Sequence, residues 1–239
     1  MDGFCFMVYN SLYMGQVKVA VDTVIFTVED NALKVILIQM KKKPFTGMWA
    51  FPGGLIDSNK ESLDDAAKHE LKEKTGLVAD ASPEQGRGVY LEQLYTFGDL
   101  KRDPFSRVVS TAYFALINND GIKLKTTTKY SDIGWFDVNK LPRLAYDHSK
   151  IAKYALKRLR WKLEYTNVAY SLLPRYFPLS ELRRVYEVIL GRSLDRRNFQ
   201  RKIFSLDILR KTNKKQTGKH RPARLYEFKN RKPQIVEVL

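Results

Sequence analysis

The stretch HELKEKTG at residues 69–76 carries two carboxylates at helical spacing, Glu70 and Glu73. Three residues apart on a helix they share a face. Such a pair can contribute to a divalent-cation site, because hard cations take several oxygen ligands. Lys74 follows at once. An ammonium at that position removes one possible ligand and sets a like charge beside any metal. It also stands four residues after Glu70, the favourable orientation for an intrahelical ion pair. That pair is worth only on the order of 0.3 kcal/mol when exposed, so the lost ligand and the misplaced charge are the larger effects. The stretch is either a metal site weakened to at most loose Mg2+ binding at Glu70 and Glu73, or a solvated acidic face. No cofactor is required by the sequence.

A second set of residues has chemistry of another kind. In DRRNFQRKIF, residues 195–204, Phe199 and Ile203 are i,i+4 and would face a core. Arg197 and Arg201 then point away, flanked by Asn198 and Gln200. These types read base edges: Arg binds guanine, while Asn and Gln bind adenine. Arg183, Arg184, Arg196 and Lys202 suit phosphate contacts, which fix register and carry no sequence information. A following turn holds Lys211, Lys214, Lys215, Lys219, His220 and Arg221, again phosphate-type groups.

The elements needed to position these groups are visible in the pattern. Residues 17–28 and 33–40 are rich in β-branched side chains and predict two strands joined by a tight turn at EDNA. A loop punctuated by Pro44, Gly47, Pro52, Gly53 and Gly54 precedes a helix. Ser62 and Asp65 form a capping-box-like pair at its start, and Gly76 is placed to close it. Strands are expected over 88–98, 107–118, 121–124 and 132–138. From about Asp147 the pattern turns helical. Ile151, Tyr154, Ala155, Leu159 and Leu163 make one apolar stripe. Helices over 179–191 and 195–204, then strands over 207–212 and 223–228 around a basic turn, outline a winged helix-turn-helix.

Charge is partitioned along the chain. The 239 residues carry a formal net charge of +16. Residues 1–150 hold 19 basic and 19 acidic side chains, whereas residues 151–239 hold 23 basic and only 7 acidic. A confined excess points to a polyanion-binding unit attached to a neutral one. RNA binding relies on exposed aromatic platforms. Tyr186, Phe199, Phe204, Tyr226 and Phe228 fall at core positions instead, which favours duplex DNA. The single cysteine, Cys5, excludes an internal disulfide framework. The apolar first residues lack a basic region and a cleavage site, and no run is long enough to span a bilayer. A cytoplasmic protein without membrane contact is expected.

The run PGGLIDSNKESLDDAAKHELKEKTGL, residues 52–77, resembles the Nudix box. Glu61, Glu70, Leu71, Glu73, Gly76 and Leu77 fall into its spacing. One extra residue separates Gly54 from Glu61, His69 stands for the box arginine, and Lys74 stands for the second glutamate of its Glu-Glu pair. His69 cannot supply a permanent fork-shaped charge. Together with GMWAFPGG, residues 97–117, 144–160, 173–203 and RPARLYEF (221–228), the box resembles the Nudix-related transcriptional regulators. The resemblance covers all but about the first 15 residues.

It implies an α/β Nudix-like sandwich over residues 1–145, a connecting helix over 146–166 and a winged helix-turn-helix over 167–239. It further implies a homodimeric DNA-binding repressor whose effector is ADP-ribose or a related metabolite, controlling genes of NAD metabolism. A pentose sensor controlling sugar-utilisation genes, an active hydrolase of ADP-ribose using Glu61, Glu70 and Glu73, and an enzyme acting on RNA ends are the alternatives. The effector would lie beneath the box helix. Arg102 and Arg107 match a diphosphate, and Asp103 could orient one of them or bind a sugar hydroxyl. The three could equally form a structural ion-pair set. Phe45 and Trp49 could stack on a ring or pack in the core.

Overall fold

The computed structural model describes residues 16–56, 60–77, 89–216 and 223–238. Its first part is a mixed sheet. Strands β1 (Lys18–Glu29) and β2 (Ala32–Met40) form a hairpin whose turn residues Asp30 and Asn31 have φ of 50° and 59°. That is the conformation of a two-residue primed turn, which Asp and Asn tolerate. Short strands β3 (Trp49–Ala50) and β4 (Gly53–Leu55) follow, and then helix α1 (Leu63–Thr75). β5 (Tyr90–Phe97), β6 (Val108–Leu116) and β7 (Tyr130–Asp137) complete the sheet. Its order is β3-β2-β1-β6-β5, with β4 also pairing β1 and β7 also pairing β2. β1 lies at the centre and runs parallel to β6. Its apolar residues are therefore covered on both faces, which is why Ala20–Phe26 read as a nearly continuous apolar run.

α1 is capped as its sequence predicts. Asp65 N–H donates to Ser62 Oγ at 3.2 Å, and Ser62 N–H donates back to the Asp65 carboxylate at 3.3 Å. Gly76 closes the helix at φ 75°, a left-handed conformation that glycine adopts without a Cβ clash. The strand expected at 121–124 is absent. Gly121 takes φ 70° and Ile122 N–H bonds back to Asn119 O, a turn. Ile122 and Leu124 pack sideways onto the Ile25–Leu71 cluster instead of joining the sheet.

Helix α2 (His148–Tyr165) buries Ile151, Ala155, Leu159 and Leu163, while Tyr154 stays half-buried. A 3-10 turn over Val168–Leu172 and a two-residue strand β8 (Phe177–Pro178), neither expected from the sequence, lead into α3 (Leu179–Leu190). α4 (Arg196–Ser205) and the strands β9 (Leu209–Gln216) and β10 (Ala223–Phe228) follow, β8, β10 and β9 forming a three-stranded sheet. One core cluster runs without a break from Val24, Phe26 and Leu37 through α2 to Phe177, Leu182, Tyr186 and Ile203. Each such large side chain contributes about 1.5–3 kcal/mol when fully buried. Among the described residues, no helix is long and apolar enough to cross a membrane.

Candidate functional site: a sheet cleft and a basic helix face

The cleft lies at the start of β1, beside the loop that follows β5. Its volume is about 250 Å³, and its wall includes Asp22, Arg102, Asp103, Tyr130, Tyr146 and His148. Gly53 and Gly54 form one edge. At Gly53 a Cβ would come within 2.2 Å of the Val21 carbonyl oxygen, so only glycine allows β4 to approach β1 this closely. Tyr130 Oη–H donates to Gly53 O at 3.3 Å and holds that edge in place.

The floor is a buried charge network. Arg102 is 7% exposed. Its Nη2 lies 3.1 Å from Asp22 Oδ2 and 3.0 Å from Asp147 Oδ1, and its Nε donates to Asp147 Oδ2 at 3.2 Å. Ser110 Oγ–H donates to Asp22 at 2.6 Å, and His148 Nε2 lies 3.3 Å from Asp22 Oδ1. His148 Nδ1 accepts the Phe51 N–H at 2.9 Å. Burial alone would raise the Asp22 carboxyl, but His148, Ser110 and Arg102 together hold it down at about 2.

Of the candidate effector residues, Arg102 and Asp103 meet at this cleft. Arg102 enters it already committed to two carboxylates. Asp103 Oδ1 accepts the N–H groups of Phe105 and Ser106, at 2.9 and 3.1 Å, and so shapes the loop. The other three are placed differently. Arg107 Nη1 donates to Gly98 O and Asp99 O, at 2.7 and 3.1 Å, clasping the base of the same loop. Trp49 packs on Phe136 with ring centroids 4.5 Å apart, and Phe45 on Tyr146 at 4.3 Å. Neither aromatic lines the cleft. Asp22, Tyr130, Tyr146 and His148 were not visible as site residues in the sequence. The stretch YDHSK at 146–150 was the one available signal, a cluster of polar groups at a helix start.

On the box helix, Lys74 is fully buried. Its Nζ lies 2.5 Å from Glu73 Oε2, 3.9 Å from Glu70 Oε2 and 4.7 Å from the centroid of the Tyr130 ring. The tight pair is thus with the sequence neighbour Glu73, and the i,i+4 partner Glu70 is the looser one. Burial raises the Glu70 carboxyl, with Lys74 opposing. For Glu73 burial acts the same way, but the Lys74 hydrogen bond and charge outweigh it and lower the carboxyl. Glu70 Oε2 is buried without a hydrogen-bond partner. Glu61 stands apart, 4.0 Å from His69 Nδ1. Among the described residues, no three metal-ligating side chains converge. A divalent cation does not fit this arrangement, because the positive charge between Glu70 and Glu73 is already supplied by the chain.

The second surface is polar and basic. Asp195 caps α4 by accepting the Asn198 N–H at 2.8 Å. Phe199 and Ile203 face the core, leaving Arg196, Arg197, Asn198, Gln200 and Arg201 exposed and Lys202 half-buried. Arg201 Nη2 donates to Asn198 Oδ1 at 2.9 Å, so the two would approach a partner as a unit. A groove of about 410 Å³ beside this helix is lined by Arg183, Arg196, Gln200 and Arg224. Arg224, exposed on β10, is not legible in the sequence because its strand alternates too briefly to fix a face. Arg183 also donates to Leu194 O at 3.1 Å, bracing the turn between α3 and α4. Arg184 turns from this surface. Its Nη1 donates to Asn31 Oδ1, at 3.1 Å, in the β1–β2 turn. Lys214 Nζ sits 3.6 Å over the Tyr176 ring. Lys219, His220, Arg221 and the side chain of Lys215 lie outside the described residues.

Both halves of the chain match known families. The Nudix domain family matches residues 18–159, and the NrtR DNA-binding winged helix domain matches residues 169–228. An ADPR responsive transcriptional repressor of Acinetobacter baylyi is 35% identical over 212 residues, covering 87% of this chain and 80% of its own. Shewanella oneidensis NrtR, crystallised with a 27mer DNA, is 36% identical with a TM-score of 0.75, over 88% of this chain and 93% of its own. The Nudix domain of that Shewanella protein, crystallised with ADP ribose, is 33% identical with a TM-score of 0.52, over 64% of this chain and 94% of its own. A Nudix domain carrying an NrtR winged helix, with this extent of likeness, places the chain in the NrtR family of Nudix-related transcriptional regulators.

Proposed function

We infer that the chain is a transcriptional repressor that binds duplex DNA through α4 and the wing, and that ADP-ribose in the Nudix-domain cleft changes its hold on DNA. The observation that carries this reading is the exposed face of Arg197, Asn198, Gln200 and Arg201 on a capped helix. These are base-reading side chains on a rigid element, in a chain similar over most of its length to a protein crystallised on DNA. The relatives described with ADP-ribose support that effector over a pentose. Arg102 and Lys18 are the cleft's cations and would meet the diphosphate, with Asp103 or Tyr146 near the sugar hydroxyls. The ligand is bound and left intact in this reading, which the buried Lys74 ammonium beside Glu70 and Glu73 supports. The working form is a cytoplasmic homodimer reading two half-sites, and its targets are genes of NAD metabolism.

The test is fluorescence anisotropy on a duplex from the gene's own upstream region, at two salt concentrations, with a scrambled duplex as control. Selective binding is expected, with log affinity falling by roughly one unit per log unit of salt for each phosphate contacted. ADP-ribose should weaken it. Equal weak binding to both duplexes would overturn the reading.

A further inference from the structure

The start of α2 is built into the wall of the cleft, and it is built unusually. Asp147 occupies the N-cap position, and aspartate is among the best residues there. The other α-helices with a polar N-cap, α1 at Ser62 and α4 at Asp195, use that side chain for the purpose, whereas Asp147 makes no capping hydrogen bond. Both its carboxylate oxygens are held by Arg102 instead, at 3.2 and 3.0 Å. The preceding residue, Tyr146, is held at φ 52°, a left-handed conformation unfavourable for a bulky side chain. Arg102, Tyr146 and His148 line the cleft, and Asp147 lies behind them. At its other end, α2 carries the DNA-binding unit. Arg160 Nε donates to Ile189 O, at 2.9 Å, in the last turn of α3. α2 has 18 residues, a rod of about 27 Å at 1.5 Å per residue.

We propose that Asp147 is a two-position switch that couples the effector cleft to the DNA-binding unit. Without ligand its carboxylate is bound to Arg102. An anionic diphosphate in the cleft draws on the Arg102 guanidinium, and the released carboxylate turns to cap the amide of Ser149, as N-cap side chains do; Lys150 N–H already donates to Asp147 O at 2.8 Å. Each state gives the carboxylate hydrogen-bonded partners, and the diphosphate's hold on Arg102 supplies the differential affinity that selects the second. Recapping resets the start of α2, relieves Tyr146 and shifts the helix from which α3 hangs. The proposal rests on the functional reading above. It specifies the residues through which that reading's two sites communicate.

The experiment uses the full chain and Asp147→Asn. Asparagine caps a helix as well as aspartate but, being neutral, holds Arg102 weakly. DNA affinity is measured with and without ADP-ribose, ADP-ribose affinity by calorimetry, and protection of amide 149 by hydrogen exchange. The wild type should gain protection at amide 149 on binding ADP-ribose. In Asp147→Asn that protection should be present from the start. The variant's DNA affinity without ligand should lie near the ligand-saturated wild-type value, with the remaining ADP-ribose effect reduced at least 5-fold. By linkage its ADP-ribose affinity should rise, an outcome that damage to the fold would not produce. Asp147→Ser, also a capping residue, should behave alike and guards against a fault peculiar to asparagine. A wild type that binds both ligands, with variants whose coupling and protection match it, overturns the switch alone. A wild type that binds neither overturns the functional reading first.

Discussion

The ammonium of Lys74 lies under the ring of Tyr130, 4.7 Å from its centroid, with no access to solvent. Tyr130 in turn forms part of the cleft wall and holds Gly53. The residue that departs most from a metal-binding box is thus also a support of the ligand cleft. Burying a lysine is tolerable only when it is paired, and Glu73 with the more distant Glu70 provides the pairing.

Adding Mg2+ or Mn2+ should therefore leave the melting temperature and the ADP-ribose affinity of the wild type unchanged. Lys74→Glu would place a third carboxylate beside Glu70 and Glu73. It should lose stability in chelator and regain several degrees of melting temperature with Mn2+. Lys74→Met should cost about 3 kcal/mol, the lower end for a broken buried pair, because Glu70 and Glu73 keep some solvent. Differential scanning fluorimetry with and without EDTA separates these outcomes. A metal-dependent shift in the wild type would show that the internal cation does not suffice.

Asp22 gives the protein a defined acid limb. Its folded value of about 2 lies below its ordinary 3.8. The stability it confers is fully present above about pH 4 and is lost as pH falls toward 2, because the unfolded chain takes up the proton first. At about 1.4 kcal/mol per pH unit this amounts to about 2 kcal/mol. Urea midpoints measured from pH 6 to pH 2.5 should fall along this limb in the wild type. In Asp22→Asn they should start lower and fall less.

On α4, Arg197→Ala and Arg201→Ala should each cost about 1–3 kcal/mol of affinity for the specific duplex, while affinity for scrambled DNA changes little. Arg196→Ala should weaken both duplexes alike and lower the salt slope by about one unit. Arg184→Ala should leave the salt slope unchanged, since its guanidinium is engaged by Asn31. Anisotropy titrations at three salt concentrations distinguish the three behaviours.

Trp49→Ala tests the aromatic that sequence alone left open between ligand and core. Its ring rests on Phe136, so the substitution should destabilise the fold by about 3 kcal/mol. ADP-ribose affinity, measured by calorimetry well below the melting temperature, should stay within 3-fold of the wild type.

Much of this fold is legible in the residues themselves, and the reason is local. The β1–β2 hairpin, α1 with its Ser62–Asp65 box, and α4 with its Asp195 cap are written in contiguous patterns of burial and capping. Ile122 and Leu124 alternate like a strand but lack a partner to pair with, which no local pattern reveals. The cleft is less legible. Arg102 stands out as a cation near a loop, whereas its partners Asp22 and Asp147 are 80 and 45 residues away in the chain. Asp22 lies inside an apolar strand, where a lone carboxylate gives no hint of its partner. Residue type likewise could not say that Trp49 turns to the core while Tyr146 turns to the cleft.

The core cluster that passes unbroken from the sheet through α2 into α3 and α4 has a consequence for how this protein can be taken apart. Two domains joined by a slack tether can be exchanged like cassettes, each melting on its own schedule. Here the winged-helix half shares its oil with the Nudix half, and it ties one arginine, Arg184, to the neighbour's hairpin. The chain should melt in a single calorimetric transition. A chimera that grafts this winged helix onto another domain would carry the exposed α4 residues but inherit a raw apolar flank.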